Sequence, residues 1–317
     1  MASSAISTAP VKKKNKTLHN IRKYLPFYFF MLPGLIYLIC NNYLPMYGIT
    51  IAFKKLNFAK GIMGSPWCGL DNFKFLFKSG QIYTILRNTL LYNIVMIPLG
   101  MVLSVACAIT LNEVKNKFAS RVYQSIILIP SLMSWVVINY IAYAFLNAEN
   151  GVLNTWLTAL GMQPVSWYTK SEYWPVIIVL VSMWKTIGNS MIVYLASIVG
   201  ISSDYYEAAK LDGATKWQQI WNITIPMLKP TMITMLIMSL GGILHGDFGL
   251  FYQLPRNSSA LYGTTETLDV FVFNALMKQA DYGMSSAASV FSALVGFVLV
   301  IVSNKISRKV DKDMALF

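Results

Sequence analysis

One segment of this 317-residue chain has side chains whose types and spacing suggest protein binding. In chain order it contains Tyr206-Glu207-Ala208-Ala209, Asp212-Gly213 and Ile223-x-Ile225-Pro226. Alanine favours helix and an Asp-Gly pair favours a turn, so the segment predicts two short helices joined at Gly213. The small alanine side chains allow close approach by a partner, and the nearby tyrosine and tryptophan residues are typical anchors of binding surfaces. We therefore predict a helical hairpin, over residues 201–230, that contacts another protein.

The ends of the two hairpin helices can be assigned from local chemistry. Asp204, followed by Glu207 three residues later, resembles a capping box at the start of the first helix. Thr215 is a suitable N-cap for the second helix, and Pro226 is expected to end it. A second interpretation stays open, in which Glu207 is only a capping residue and Gly213 only a turn residue.

The chain lacks the sequence patterns of a catalytic subunit. It contains no G-x-x-x-x-G-K-[ST] loop for nucleotide phosphates and no G-x-S-x-G nucleophile motif. Its three cysteines, Cys40, Cys68 and Cys107, do not have the spacing of metal ligands. We expect no catalytic residue, no metal site and no cofactor bound by this chain.

Lys185 is a charged residue inside a long apolar segment, with Asn189 one helical turn further along. A charge at the centre of a bilayer costs about 2.5–3.5 kcal/mol or more, so such residues usually face a cavity or a polar partner. We predict that the Lys185 ammonium and the Asn189 amide donate hydrogen bonds to a polar substrate within the membrane. The alternative is a hydrogen bond between helices, or an ammonium that reaches the membrane surface.

A second group of polar and aromatic side chains could form the rest of a substrate path. It contains His245, Asp247, Phe251 and Tyr252, together with Asn139 and Tyr143 in a separate apolar segment. Hydrogen-bonding groups beside aromatic rings suit a ligand that has both polar groups and apolar faces. Two alternatives stay open: the aromatic residues form an interfacial belt, and the polar ones serve helix packing.

The composition places these residues in a membrane protein. Hydrophobic residues make up 56% of the chain and charged residues 12%, against roughly 25% charged residues in soluble domains. The formal charge of +13 does not indicate nucleic-acid binding, because the Lys and Arg residues gather at the ends of apolar segments. The alternation typical of a β-barrel is absent, so we predict an all-α membrane protein.

Six apolar segments are long enough to cross a hydrocarbon core of about 30 Å as helices. They are residues 25–43, 89–111, 122–146, 175–199, 231–251 and 287–303. If the N-terminus is inside, 16 Lys and Arg residues lie on the cytoplasmic side and nine on the outer side, which favours both termini in the cytoplasm. We predict a cytoplasmic tail at 1–24, one transmembrane domain at 25–303 and a second cytoplasmic tail at 304–317.

The spacing E-A-A, three residues, Gly, nine residues, Ile-x-Ile-Pro closely resembles the cytoplasmic signature loop of permease subunits in binding-protein-dependent ABC importers. In that family the loop forms coupling helices in a cleft of the ATPase subunit, so that closure of the ATPases moves the permease helices. The resemblance implies a type I importer permease fold. It also implies an ATPase-coupling role for Tyr206, Glu207, Ala208, Ala209, Asp212, Gly213, Ile223 and Pro226.

Shorter stretches narrow the resemblance to one branch of the family. They are Gly69-Leu70-Asp71-Asn72-Phe73, Arg87-Asn88-Thr89-Leu90, Leu111-Asn112-Glu113-Val114, residues 125–130 and 134–137, Trp184-Lys185-x-x-Gly188 and residues 247–254. Together they are similar to LplB-type permeases, which import oligosaccharides and polysaccharide fragments and are related to the larger permease subunit of the maltose transporter. This implies a multi-pass subunit of the bacterial cytoplasmic membrane, surrounded by lipid. Its implied partners are a second, homologous permease chain, two ATPases that hold ATP and Mg²⁺, an extracellular or periplasmic solute-binding protein and an oligosaccharide.

A secondary transporter or channel driven by an ion gradient is the alternative class. Such proteins more often have paired carboxylates within the membrane, or Gly- and Pro-broken half-helices in both halves. Acidic residues are nearly absent from the six predicted spans, which favours the ABC permease.

Overall fold

The computed structural model describes residues 16–78 and 80–310, and nearly all of its regular structure is helical. Within these residues there is no β-strand, and one isolated bridge pairs Lys54 with Trp67. The predicted all-α class is therefore confirmed. The chain separates into two compact units, residues 1–50 and 51–317.

The first unit contains the first predicted span. Its helix Lys16–Leu38 continues into a π-helical turn, Ile39–Tyr43, so the span predicted at 25–43 is helical throughout. The helix begins inside the region predicted as a tail, and residues 1–15 of that tail lie outside the described residues. None of the unit's described side chains is buried within it, although the segment is strongly apolar. Such a surface is stable only against lipid or another apolar surface.

The second unit contains the other spans, most of which match their predicted positions. Its long apolar helices are Gln81–Glu113, Ser171–Val199, Lys216–Gly241 and Tyr282–Lys309. The 33 residues of Gln81–Glu113 extend about 50 Å at 1.5 Å per residue, which exceeds a hydrocarbon core of about 30 Å. The second, fourth and sixth spans therefore extend beyond the predicted segments, and the last helix continues into the predicted 304–317 tail. Residues 311–317 lie outside the described part of the chain.

The third predicted span, 122–146, is wrong as one continuous helix. The structure divides it into Lys117–Leu132 and Trp135–Leu146, whose axes differ by 97°. Met133 and Ser134 have extended backbone conformations, and the Ser134 hydroxyl accepts a hydrogen bond from the Val137 N–H at 3.3 Å. Serine caps a new helix start in this way, so a second helix begins where hydropathy predicts continuation.

The fifth predicted span, 231–251, is wrong at both ends. The helix runs from Lys216 to Gly241, and the chain is irregular until a π-helical turn at Gly249–Gln253. Gly241 and Gly242 end the helix because glycine has little helix propensity. Phe251, which was predicted to end the span, is therefore in a separate turn.

The segment after this turn forms short helices that pack on the spans. Tyr262–Thr265 is followed by the longer helix Leu268–Lys278. Its apolar face is buried and joins the start of the second span and the sixth span in one core cluster. Two further clusters join the second and fourth spans, one with the 250–254 turn and one with the first half of the fifth span.

Candidate functional site

The predicted hairpin lies between the fourth and fifth spans. Its first helix, Ser203–Leu211, begins after Ser202, whose Oγ accepts a hydrogen bond from the Asp204 N–H at 3.3 Å. The predicted capping box of Asp204 and Glu207 is therefore wrong, because the serine just before the helix provides the cap. Glu207 is exposed, and its side chain makes no hydrogen bond or ion pair with another described residue.

Gly213 forms the turn between the two hairpin helices. Its φ is 80°, in the left-handed region that residues with a Cβ rarely adopt. The next N–H, that of Ala214, donates to the Ala209 carbonyl at 2.8 Å and closes the first helix. The sequence placed this turn correctly at Asp212-Gly213.

The second hairpin helix begins with a complete capping box. The Gln218 N–H donates to Thr215 Oγ1 at 3.3 Å, and the Thr215 N–H donates to Gln218 Oε1 at 2.7 Å. The prediction that Pro226 ends this helix is wrong, because the helix continues through the π-helical turn Ile220–Thr224 to Gly241. Pro226 is the second residue after the π-helical turn, in the first turn of the next helical stretch, where the missing N–H costs little.

Two contacts hold the hairpin together and attach it to the spans. Tyr206 Oη and Thr224 Oγ1 are 3.0 Å apart, so a hydrogen bond joins its two helices. Lys216 Nζ lies 2.7 Å from one carboxylate oxygen of Glu113 and 3.0 Å from the other. Because Glu113 ends the second span, the hairpin is connected to that span and is continuous with the fifth.

The hairpin exposes large apolar side chains. The exposed fractions are 54% for Tyr205, 90% for Leu211, 67% for Trp217 and 52% for Trp221. The two tryptophan rings meet edge to face with centroids 5.7 Å apart. A cluster of exposed aromatic and aliphatic side chains of this kind is typical of a protein-binding surface.

A cavity of about 240 Å³ lies between the second, fourth and fifth spans. Its neutral polar lining comes from Asn93, Ser182, Thr186, Ser190, Tyr194 and Ser239, and most of its remaining wall is methionine, leucine and isoleucine. Asp247 is the charged residue of this lining. Within the described residues, no cluster of three or more His, Cys, Asp or Glu side chains could hold a metal ion.

Two of the predicted path residues, Asp247 and Phe251, line this cavity. The sequence interpretation missed Ser182, Thr186 and Ser190, which occur every four residues along the fourth span. A four-residue spacing places side chains on one face of a helix, so this polar stripe could have been recognised from the sequence.

Lys185 is not part of the cavity lining. Its ammonium donates to three backbone carbonyls at 3.5, 3.2 and 2.6 Å, those of Pro130, Ser131 and Met133. The nitrogen also lies 5.1 Å from the centroid of the Trp135 ring. These carbonyls belong to the helix end at the third-span break, where a cation stabilises the negative end of the helix dipole. This geometry favours the alternative of an interhelical hydrogen bond, and a contact between Lys185 and substrate stays a prediction.

Asn189 belongs to the same contact between the third and fourth spans. Its Oδ1 accepts a hydrogen bond from Ser131 Oγ at 3.1 Å. One residue earlier, a Cβ on Gly188 would lie 2.5 Å from the Ile127 carbonyl oxygen, so the helices approach this closely only with glycine. The stretch from Lys185 to Asn189 therefore holds the first half of the third span in place.

His245 and Tyr252 also lie outside the cavity lining. His245 Nδ1 is 3.2 Å from Asp269 Oδ1, and its Nε2 is 3.2 Å from Ser292 Oγ. The hydrogen bond to Asp269 raises the pKa of His245, and partial burial opposes this shift. Tyr252 stacks on Phe248 with ring centroids 4.9 Å apart. Both residues therefore fix the segment that follows the fifth span.

Asn139 and Tyr143 lie on the second half of the third span, away from the cavity lining. Asn139 is buried, and its Oδ1 has no hydrogen-bond partner among the described residues. The Tyr143 ring centroid is 5.7 Å from that of Tyr168 and 4.3 Å from the guanidinium carbon of Arg256. A contact between substrate and either Asn139 or Tyr143 stays a prediction.

The long apolar helices, the cavity between them and the exposed hairpin define the chain as a membrane-embedded transport subunit. Residues 96–315 match the family described as "Binding-protein-dependent transport system inner membrane component", and the chain belongs to this family. It is thus an inner-membrane permease of the ABC importer type, as the signature loop predicted.

Several relatives are similar over nearly the whole chain. The "Polygalacturonan/rhamnogalacturonan transport system permease protein YteP" of Bacillus subtilis (strain 168) is 33% identical, over 92% of this chain and 90% of that protein. "Protein LplB" of the same organism is 30% identical, over 90% and 89%. A chain in the crystal structure of a bacterial ABC transporter involved in the import of the acidic polysaccharide alginate has a TM-score of 0.85 and 31% identity. That match covers 94% of this chain and 100% of the solved one.

Proposed function

We propose that this chain is the transmembrane permease subunit of an ATP-driven ABC importer for oligosaccharides or polysaccharide fragments. The sugar class is supported by the polygalacturonan, rhamnogalacturonan and alginate substrates named for its relatives. The observation that carries the proposal is the exposed hairpin, with the E-A-A sequence in its first helix and Gly213 at a φ of 80° in its turn.

The hairpin supplies a mechanical link to the cavity. Its second helix is the cytoplasmic end of the helix Lys216–Gly241, which lines the cavity with Met235, Leu236 and Ser239. A displacement of the hairpin by a closing ATPase is transmitted along this continuous helix to the cavity wall. ATP binding and hydrolysis take place on the partner ATPases, and Glu207 and the exposed aromatic residues contact them.

The cavity suits a neutral, hydroxyl-rich section of a sugar chain. Its hydroxyl and amide groups form hydrogen bonds with sugar hydroxyls, and its methionine side chains and the Phe251 ring adapt to the apolar C–H surface. A second, homologous permease completes the path, and a solute-binding protein delivers the sugar from outside. Alternating access then follows from a shift between two arrangements of the spans.

The first test is the substitution Gly213→Val in the reconstituted importer. A β-branched residue is strained at a φ of 80°, so the turn changes shape and the hairpin no longer fits its ATPase. We expect membrane insertion to persist and sugar-stimulated ATP hydrolysis and uptake to fall severalfold or more.

The matched control is Gly161→Val, because Gly161 has a φ of 76° in the loop before the fourth span. This variant experiences the same backbone strain far from the hairpin, and we expect it to retain stimulation. Normal stimulation in Gly213→Val would contradict the coupling role. Sugar uptake that continues without ATP and depends on an ion gradient would instead support the secondary transporter.

A further inference from the structure

Arg256 is an arginine on the predicted outer side that belongs neither to the hairpin nor to the cavity lining. It lies in the turn between Gly249–Gln253 and Ser259–Leu261, with a φ of 55°, and Asn257 follows with a φ of 47°. Asparagine adopts this left-handed conformation fairly readily, but a long side chain does so rarely. Residues held in such conformations often have a functional role. The conformation of Arg256 therefore marks it as a candidate binding residue.

Aromatic rings hold the Arg256 guanidinium group in place. Its central carbon lies 4.3 Å from the centroid of the Tyr143 ring, within the range of a cation–π contact. Tyr143 packs against Tyr168, and Tyr168 packs against the buried Trp174 with ring centroids 5.2 Å apart. A guanidinium that stacks on a ring keeps the N–H groups at its edge free for hydrogen bonding.

The guanidinium has no acidic partner in the described part of the chain. Arg256 is exposed, no carboxylate oxygen of a described residue lies within 4.0 Å of it, and it donates no side-chain hydrogen bond to these residues. Arg87, another exposed arginine of the same side, differs because its Nη2 donates to the Gly263 carbonyl at 3.0 Å. Arg87 thus has a structural contact, whereas the donors of Arg256 remain available.

Tyr168 adds a second polar group beside the guanidinium. Its hydroxyl oxygen is buried and has no hydrogen-bond partner among the described residues. Burial raises the pKa of Tyr168 to about 12, although the charge of Arg256 opposes the shift, so the hydroxyl is a neutral donor at physiological pH. A buried polar group without a partner indicates that an additional molecule is needed to satisfy it.

We propose that Arg256, stacked on Tyr143 beside Tyr168, is an outer binding site for the carboxylate of a uronate residue in the transported oligosaccharide. This inference rests on the proposed function and adds that the transported sugar is acidic. The planar fork of the guanidinium matches a carboxylate with two parallel hydrogen bonds. The cavity lining has one carboxylate and no cation, so the acidic group is recognised at Arg256 before the sugar reaches the cavity.

The test compares an acidic sugar with its uncharged methyl ester. A galacturonate oligosaccharide and its methyl ester are each supplied on the solute-binding protein at the same subsaturating concentration, and uptake is measured in vesicles that contain the complete importer. In Arg256→Gln we expect uptake of the acid to fall about tenfold relative to the ester, the loss typical of a charge-assisted hydrogen bond. Arg87→Gln is the matched control and leaves the ratio of the two rates unchanged.

Tyr143 provides a test of positioning. Tyr143→Phe keeps the ring under the guanidinium, and we expect its uptake ratio to match that of the unaltered importer. Tyr143→Leu removes the ring and lowers the ratio in the same direction as Arg256→Gln, but by less. A purely structural role for Tyr143 would lower both uptake rates equally.

Two results would overturn the site. One is an unchanged ratio in Arg256→Gln. The other is an equal loss for both sugars that is overcome by more loaded binding protein, which would assign Arg256 to protein docking. If the unaltered importer transports neither sugar but takes up another oligosaccharide, the acidic substrate assigned here fails and the proposed function stands. If it takes up no oligosaccharide, the proposed function fails, and binding of the galacturonate oligosaccharide to the purified complex, with and without Arg256→Gln, still tests the site.

Discussion

At the scale of single residues, the intramembrane charge of Lys185 is explained by backbone chemistry. The break in the third span exposes carbonyl groups at a helix end within the membrane, where no water is available to satisfy them. The ammonium provides three donors, and three carbonyls accept them at 2.6 to 3.5 Å. Lys185 therefore stabilises the break, and the break in turn orients Trp135, whose Nε1 donates to Asp247 Oδ2 at 2.8 Å.

We expect Lys185→Met to lower the thermal stability of the purified protein. Methionine keeps the apolar stem but removes the ammonium that donates to the part-buried Ser131 and Met133 carbonyls, and a carbonyl left without a donor costs about 1–3 kcal/mol. Uptake of neutral and acidic sugars should fall together, and Lys185→Arg should recover part of the stability. Unchanged stability with an altered substrate range would instead place the ammonium in the sugar path.

At the scale of elements, the hairpin reaches the spans by two routes. One is covalent, through the helix Lys216–Gly241, and the other is the ion pair between Lys216 and Glu113. Exposed ion pairs contribute about 0–1 kcal/mol to stability, so this one has little effect on folding. Its position between the hairpin and the second span, which also lines the cavity, instead suits a role in transmitting movement.

A charge exchange can test this ion pair. Glu113→Lys and Lys216→Glu each place like charges together, and we expect each to reduce sugar-stimulated ATP hydrolysis severalfold with little change in melting temperature. The double exchange restores the attraction and should restore most of the stimulation. If the two single losses simply add in the double variant, the ion pair does not transmit the movement.

At the scale of the whole molecule, orientation determines which surface meets the ATPase. With the hairpin inside, the long cytoplasmic ends of the second and fifth spans and the excess of Lys and Arg lie on the same side. The loops that contain Lys170 and Arg256 then lie outside, where a binding protein delivers sugar. The proposed carboxylate site depends on this orientation as much as the coupling hairpin does.

Cysteine labelling can test the orientation after Cys40, Cys68 and Cys107 have been replaced by serine. Ser166 and Ser203 are both exposed, the first in the loop before the fourth span and the second at the start of the hairpin. In right-side-out vesicles, an impermeant thiol reagent should label Ser166→Cys at once and Ser203→Cys only after permeabilisation. The reverse pattern would invert the molecule and remove the argument for coupling.

The sequence by itself determined the class of protein, the family and the hairpin. These depend on local or compositional signals: a low charge content, apolar segments of sufficient length, and residues such as Gly213 whose backbone requirement is intrinsic. The same signals gave the second, fourth and sixth spans, because a bilayer forces an uninterrupted apolar segment to form a helix.

Tertiary structure decided the third-span break, the end of the fifth span and the contacts of the polar residues. Hydropathy cannot separate a straight span from two helices at 97°, because the break is stabilised by Lys185 from a different span. The cavity likewise requires three spans to meet, so its lining depends on packing between segments distant in sequence. The stacking of Arg256 on Tyr143 joins residues more than 100 positions apart, and only the folded chain brings a free guanidinium to an aromatic ring.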